Sequence, residues 1–138
     1  LKISSSQPEI RRKAILAIKE KASPRAFEIL CKILRKDISP VIRHEAAFIL
    51  ATYKNKKAVA ALLQAIKNDA SDLVRHEAIE ALGDSGMKTK KIRVNTLLDD
   101  LQKDKNPFIR DTAAIALATL KSENKKGLRI IPQTIDCI

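Results

Sequence analysis

The segment Val41-Ile42-Arg43-His44-Glu45-Ala46-Ala47 returns 32 residues later as Leu73-Val74-Arg75-His76-Glu77-Ala78-Ile79, and fainter copies stand at Ile10-Arg11 and Ile109-Arg110. Arg11, Arg43, Arg75 and Arg110 are therefore spaced by 32, 32 and 35 residues. A period of this size means stacked supersecondary units, each burying its apolar face against the next, rather than one globular core.

With each Arg as position zero, an apolar residue stands at −1 (Ile10, Ile42, Val74, Ile109), alanine at +3 (Ala14, Ala46, Ala78, Ala113) and an aliphatic at +7 (Ile18, Leu50, Leu82, Leu117). These offsets trace one face of a 3.6-period helix. The recurring alanine marks a place where helix backbones come too close for a larger side chain. Pro8, Pro40 and Pro107 stand at helix entrances, where their missing N–H costs nothing. A second helix precedes three of the Arg helices and is marked by Asp37, Asp69 and Asp104. Counting back from each Asp, apolar residues occupy −10 (Phe27, Val59, Val94), −7 (Leu30, Leu62, Leu97) and −3 (Leu34, Ile66, Leu101). The Asp and Arg are expected to hydrogen-bond along the stack of turns. The pattern predicts helices near 8–20, 24–36, 40–53, 57–68, 72–83, 90–104 and 107–121. Residues 122–138, interrupted by Gly127 and Pro132, read as a short cap or tail. The expected fold is all-α: one domain over 1–138, a right-handed α-α superhelix of about four helical repeats.

Aromatics make up only 3% of the chain, so the interior is filled by Ala, Leu, Ile and Val. Cys31 and Cys137 read as reduced thiols rather than a disulfide or metal pair. No apolar run reaches the roughly 18–20 residues that span a bilayer and no signal peptide opens the chain, so a cytoplasmic protein is expected. The first residue is Leu, which reads as a piece of a longer protein.

The string Val74-Arg75-His76-Glu77-Ala78-Ile79-Glu80-Ala81-Leu82-Gly83, following the Asp69 turn, resembles the HEAT-like repeat named for phycobilisome lyases, over essentially residues 7–121. That family includes bilin lyase subunits and scaffolds, and the resemblance implies a HEAT-like solenoid. His-Glu pairs in two adjacent repeats also resemble one half of deoxyhypusine hydroxylase, a family that binds two irons and hydroxylates a modified lysine on a translation factor. His44-Glu45 and His76-Glu77 match two of that family's four pairs; the outer positions hold Arg12-Lys13 and Asp111-Thr112 instead.

Positions +1 and +5 lie almost opposite the buried face. His44 and His76 thus project from the exposed side, and equivalent helices of successive repeats lie about 8–10 Å apart. Two histidines with Glu45 or Glu77 form the ligand types of non-haem Fe(II) or zinc chemistry, with iron the cofactor that the hydroxylase resemblance implies and a homodimer completing the four pairs. The alternative is a solvated face on which Glu favours the first helical turn and His76 pairs with Glu80. No catalytic triad, phosphate-cradling glycine loop or CxxC occurs.

The same outward face carries Leu16, Phe48, Ala51, Gly83, Ile115 and Ala118 among Arg12, His44, His76, Glu80 and Asp111. Apolar groups interleaved in this way read as a concave groove for a partner helix or peptide, with Phe48 as its anchor. This protein-binding module without enzymatic activity is the first reading, as monomer or homodimer. The net charge is +11, concentrated in turns by Lys19, Lys21, Lys54, Lys56, Lys57, Lys88, Lys90, Lys91, Lys121, Lys125 and Lys126. Equivalent turns fall on one edge of a solenoid, so a lysine ridge attractive to nucleic acid or another polyanion is a further reading. Residues 70–86 run the other way, with Asp72, Glu77, Glu80 and Asp84 against Arg75.

Overall fold

The computed structural model describes residues 5–53, 56–84 and 91–135, with side chains placed outside 91–93 and 123–135. Among the described residues seven helices follow one another: α1 (Pro8–Glu20), α2 (Pro24–Lys36), α3 (Pro40–Ala51), α4 (Lys56–Asn68), α5 (Asp72–Asp84), α6 (Lys91–Leu101) and α7 (Pro107–Ile135). The described residues contain no strand. The all-α solenoid expected from the period is what forms.

Local chemistry sets the helix starts. Ser23 caps α2, its hydroxyl accepting from the Ala26 N–H at 3.1 Å, with Pro24 in the first turn. The inner helices start differently. Asp37, Asp69 and Asp104 each fold back so that Oδ1 accepts the backbone N–H two residues on, from Ser39, Ser71 and Asn106, at 2.9 Å in every case. This side-chain turn fixes the corner before α3, α5 and α7.

The pairs α2–α3, α4–α5 and α6–α7 form antiparallel hairpins, and the hairpins stack into two layers. Helices α1, α3, α5 and α7 make one layer; α2 and α4 pack together behind it, and α6 joins the stack through α7. The first layer packs more closely than the second, which curves the stack and makes that layer the inner wall. The alanines permit the approach: Ala46, Ala78 and Ala113 are wholly buried. Ile42, Val74 and Ile109 at −1 and Leu50, Leu82 and Leu117 at +7 complete the inner layer's side of the core. The outer layer contributes Phe27, Leu30, Leu34, Val59, Leu62, Ile66, Val94 and Leu101.

Three expectations need correction. In α6 the deepest residue is Leu98, with Leu97 only half-buried, while Val94 and Leu101 keep the buried register of their equivalents. Gly83 does not face the groove. It is buried, and a Cβ there would stand 3.1 Å from Ala116 Cβ and 3.2 Å from Ala116 Cα. Position +8 thus lies on the border of the inner wall, and the α5–α7 approach covers it. Finally, α7 does not stop near residue 121 but runs to Ile135 through Gly127 and Pro132. Proline removes one N–H from the helix ladder, and here the helix continues past it; residues 136–138 of the expected tail lie outside the described residues.

The Arg–Asp pattern joins successive repeats as expected. Arg11 grips Asp37 through Nε at 2.8 Å and Nη2 at 3.0 Å, and Arg43 grips Asp69 with the same two distances. Each guanidinium also donates to carbonyls of the turn that opens its own helix, Ser5 and Ser6 for Arg11 and Asp37 for Arg43. One Arg therefore ties its own corner to the next. The third rung departs from this. Arg75 gives Nη2 to Asp104, Nη1 to Asp72 and Nε to the Ile66 carbonyl. The cause is local: Asp72 occupies the place where α1, α3 and α7 begin with proline, and its carboxylate draws the guanidinium sideways. The Arg75 hydrogen bond and the Asn106 N–H hold the Asp104 carboxyl below the ordinary aspartate range. The rung's contribution is therefore complete above that range and is lost only as pH falls through the lowered native value.

Candidate functional site: the inner wall

Seven residues are two helical turns, so positions −2 and +5 lie in line on each inner helix. The +5 positions hold Leu16, Phe48, Glu80 and Ile115; the −2 positions hold Glu9, Val41, Leu73 and Phe108. Large apolar side chains exposed to solvent concentrate on these two rows. Six of the seven in the described residues are there, from Leu16 at 39% exposed to Ile115 at 67%, and only Ile38 lies elsewhere. The row Val41, Leu73 and Phe108 was not among the expected groove residues. The signal for it was the seven-residue offset from the row already identified.

Between the apolar rows runs a polar ladder. Position +1 of each repeat reaches to position +2 of the next. Arg12 Nε donates to Glu45 Oε1 at 3.2 Å, His44 Nε2 meets Glu77 Oε2 at 2.9 Å, and His76 Nδ1 meets Thr112 Oγ1 at 2.7 Å. Thr112 gives its single hydroxyl proton to the Phe108 carbonyl at 2.7 Å. Its oxygen must then accept from His76, which places a proton on Nδ1. The other ring nitrogen, Nε2, lies 3.3 Å from Glu80 Oε2. The His76 ring stacks on Phe108 with centroids 4.2 Å apart, which fixes both residues at the edge of the wall.

Glu77 is nearly buried, and burial raises its carboxyl above the ordinary glutamate value. The His44 ring opposes that shift, while Glu80, Glu45 and Asp84 add to it. The sign follows. A native carboxyl with a raised pKa takes up its proton before the unfolded chain does, so the stability withheld at neutral pH returns as pH falls through the raised value. It is fully regained once the ordinary glutamate range is passed. Urea midpoints are accordingly expected to rise from pH 7 towards pH 5 more in the parent protein than in Glu77→Gln. Equal slopes for the two proteins count against this assignment.

The four residues considered as metal ligands are thus brought near one another but are engaged in different directions. His44 goes to Glu77, Glu45 to Arg12, and His76 to Thr112 and Glu80. Among the described residues no three His, Cys, Asp or Glu side chains converge as ligands of one ion do. This arrangement does not fit an iron or zinc centre within one chain.

Of the other groove residues, Leu16, Phe48, Glu80, Asp111, Ile115 and Ala118 are exposed, while Arg12, His44, Ala51 and His76 are half-buried. A hollow of about 340 Å³ opens between α3 and α5, lined by Phe48, Ala51, Thr52, Glu77, Glu80, Ala81 and Asp84. Lys19 leaves the expected lysine edge: its ammonium sits over the Phe48 ring, 5.0 Å from the centroid. Lys56 and Lys57 are exposed at the start of α4. Lys91 opens α6, and Lys54, Lys88 and Lys90 lie outside the described residues. No described helix is long and apolar enough to cross a membrane.

The sequence pattern of HEAT repeats matches residues 1–83 and, again, 61–128. That match is to HEAT repeats as a class and does not single out the phycobilisome-lyase type. No curated protein matches the chain in sequence. Among solved structures, human deoxyhypusine hydroxylase in complex with glycerol is similar, with a TM-score of 0.77 and 25% identity over 88% of this chain and 41% of that one. The chain thus spans less than half the length of that hydroxylase.

Proposed function

This chain belongs to the HEAT-repeat family, and on that premise we propose that it is a binding module whose inner wall receives a helical or extended segment of a partner protein. The supporting observation is the placement of exposed apolar side chains. Val41, Leu73, Phe108, Leu16, Phe48 and Ile115 share the inner wall, whereas a solenoid that served only as a spacer would scatter them. The polar ladder runs between the two rows, so a bound segment meets apolar anchors on either side of a hydrogen-bonded strip. That layout suits an amphipathic helix, whose apolar residues recur every three to four positions. The hydroxylase likeness enters this reading as a likeness of fold. The His-Glu pairs that carry the resemblance are engaged here with one another and with Arg12, Thr112 and Glu80.

The test is a displayed peptide library selected on the full chain, followed by affinity measurements with Phe48→Ala and with Leu73→Ser/Phe108→Ser. Losses of about 1–3 kcal/mol, roughly tenfold to a hundredfold, are expected for anchors of this kind, with helical circular dichroism unchanged. Peptides that bind all three proteins alike would place the binding surface elsewhere.

A further inference from the structure

We propose that a second hollow, at the edge where α2 and α4 begin, is a binding site for a small hydrocarbon monocarboxylate. It is separate from the inner wall, and neither reading depends on the other.

The curvature of the stack opens this space. Helices α3 and α5 approach closely while α2 and α4 pack more loosely, and the first turns of α2 and α4 border a hollow of about 690 Å³. Small-molecule sites span roughly 300–1,000 Å³. The apolar lining is Ala22, Pro24, Phe27 and Tyr53. Phe and Tyr together number four in the chain, and two of them meet here with ring centroids 5.4 Å apart. The equivalent residues of the two later hairpins are Val59 with Ser85 and Val94 with Leu120, so the aromatic pair belongs to this hairpin alone. A tight turn at the end of α3 holds Tyr53 in place: its N–H donates to the Leu50 carbonyl at 3.2 Å, and Thr52 Oγ1 donates to the Ile49 carbonyl at 2.7 Å.

The polar groups call for an anion. Lys56 and Lys57 line the hollow, are exposed, and make no ion pair among the described residues. They stand in the first turn of α4, which has no acidic residue, and neither has the first turn of α2. Helix dipoles present their positive ends at these turns, so cations are unfavourable there until an anion joins them. Glu28 is the one carboxylate in the lining. Two ammoniums and one carboxylate leave a single positive charge, which suits a monoanion better than a phosphate dianion. Tyr53 supplies an independent observation. Its hydroxyl is shut off from solvent and has no hydrogen-bond partner among the described residues, an unfavourable state for a polar group. A carboxylate entering beside the lysines is the acceptor that this hydroxyl lacks, and the phenol turns outward to meet it. The hydrocarbon body then lies against Ala22, Pro24 and the Tyr53 ring. Ser23 is committed to the α2 cap, so the lining offers few groups to a sugar or a base.

The chain supplies its own reporter. Tyr53 is its single tyrosine and tryptophan is absent, so tyrosine fluorescence and ring resonances read this hollow alone. Titrating the full chain with octanoate is expected to move both signals to saturation, with a dissociation constant of about 1 mM or below. Octan-1-ol keeps the hydrocarbon body without the charge and should bind about tenfold or more weakly. Lys56→Gln/Lys57→Gln should bring octanoate down to the affinity of octanol, and high salt should do part of the same in the parent. Tyr53→Phe should melt no lower than the parent, because the hydroxyl it removes holds nothing, while calorimetry finds octanoate bound about tenfold more weakly. Octanoate that leaves the Tyr53 signals in place, or binds no better than octanol, overturns the proposal. So does an unchanged octanoate affinity in Lys56→Gln/Lys57→Gln or in Tyr53→Phe. A lower melting point for Tyr53→Phe would give the hydroxyl a partner within the fold and remove the acceptor's role. Inorganic phosphate that displaces octanoate at equal concentration would reduce the hollow to a simple ion site, which also sinks the assignment.

Discussion

Asp69→Ala is expected to destabilise the protein by about 3–5 kcal/mol, the range for removing one partner of a buried ion pair. Asp69 closes three contacts at once: Nε and Nη2 of Arg43 at 2.8 and 3.0 Å, and the Ser71 N–H at 2.9 Å. Its side chain is 7% exposed and that of Arg43 is 14%, so water replaces these bonds only in part. The guanidinium is left with the Asp37 carbonyl, and the corner before α5 loses its side-chain turn. A loss near the lower bound would lower the thermal midpoint by roughly ten degrees or more in a chain of this size. The location matters as much as the magnitude. In a stack where each repeat touches only its neighbours, stability is a sum of repeat and interface terms. Cutting the interface between α3 and the α4–α5 corner should therefore broaden the transition, as α1 and the α2–α3 hairpin separate from the rest. Arg12→Ala provides the contrast. Arg12 is 43% exposed and its bond to Glu45 is 3.2 Å long, so its loss should cost no more than about 1 kcal/mol. Chemical denaturation followed by helical circular dichroism reads both. A sharp transition for Asp69→Ala at a midpoint like that of Arg12→Ala would mean that the turns do not couple the repeats.

What could be read from the sequence follows from what helical periodicity encodes. It encodes the face of one helix, so the positions at −1, +3 and +7 and the exposed row at +5 were legible, and so was the Arg–Asp pair, because both members recur. It does not encode the stagger between successive helices. That stagger makes position +1 of one repeat meet position +2 of the next, sending His44 to Glu77 rather than leaving both free for a common ion. The same blindness hid the Val41, Leu73 and Phe108 row, which stands beside helix-opening residues and reads as part of the corner. Gly83 failed for a related reason. A border position is exposed or buried according to the interhelical distance, and that distance is set by Ala116 on another helix.

That distance makes the second large prediction. Gly83→Leu is expected to cost about 3 kcal/mol or more, at and beyond the upper end of ordinary overpacking, because the added side chain meets backbone rather than a movable group. The first added carbon already stands 3.2 Å from Ala116 Cα, and helices interlocked along their length yield only by shifting as units. Gly83→Ala calibrates the effect. The better helix propensity of alanine favours the variant by about 0.5–1 kcal/mol, and the 3.1 Å contact with Ala116 Cβ opposes it, so the net change should stay within about 1 kcal/mol. A shift of α7 away from α5 also lengthens the 2.7 Å bond between His76 and Thr112 and slides Phe108 off the His76 ring. The leucine variant should therefore change the His76 side-chain resonances and weaken partner binding through Phe108, while the ladder between α1, α3 and α5 stays intact. If Gly83→Leu melts with the parent and leaves the His76 signals in place, α5 and α7 are not in the close contact that gives this wall its curvature.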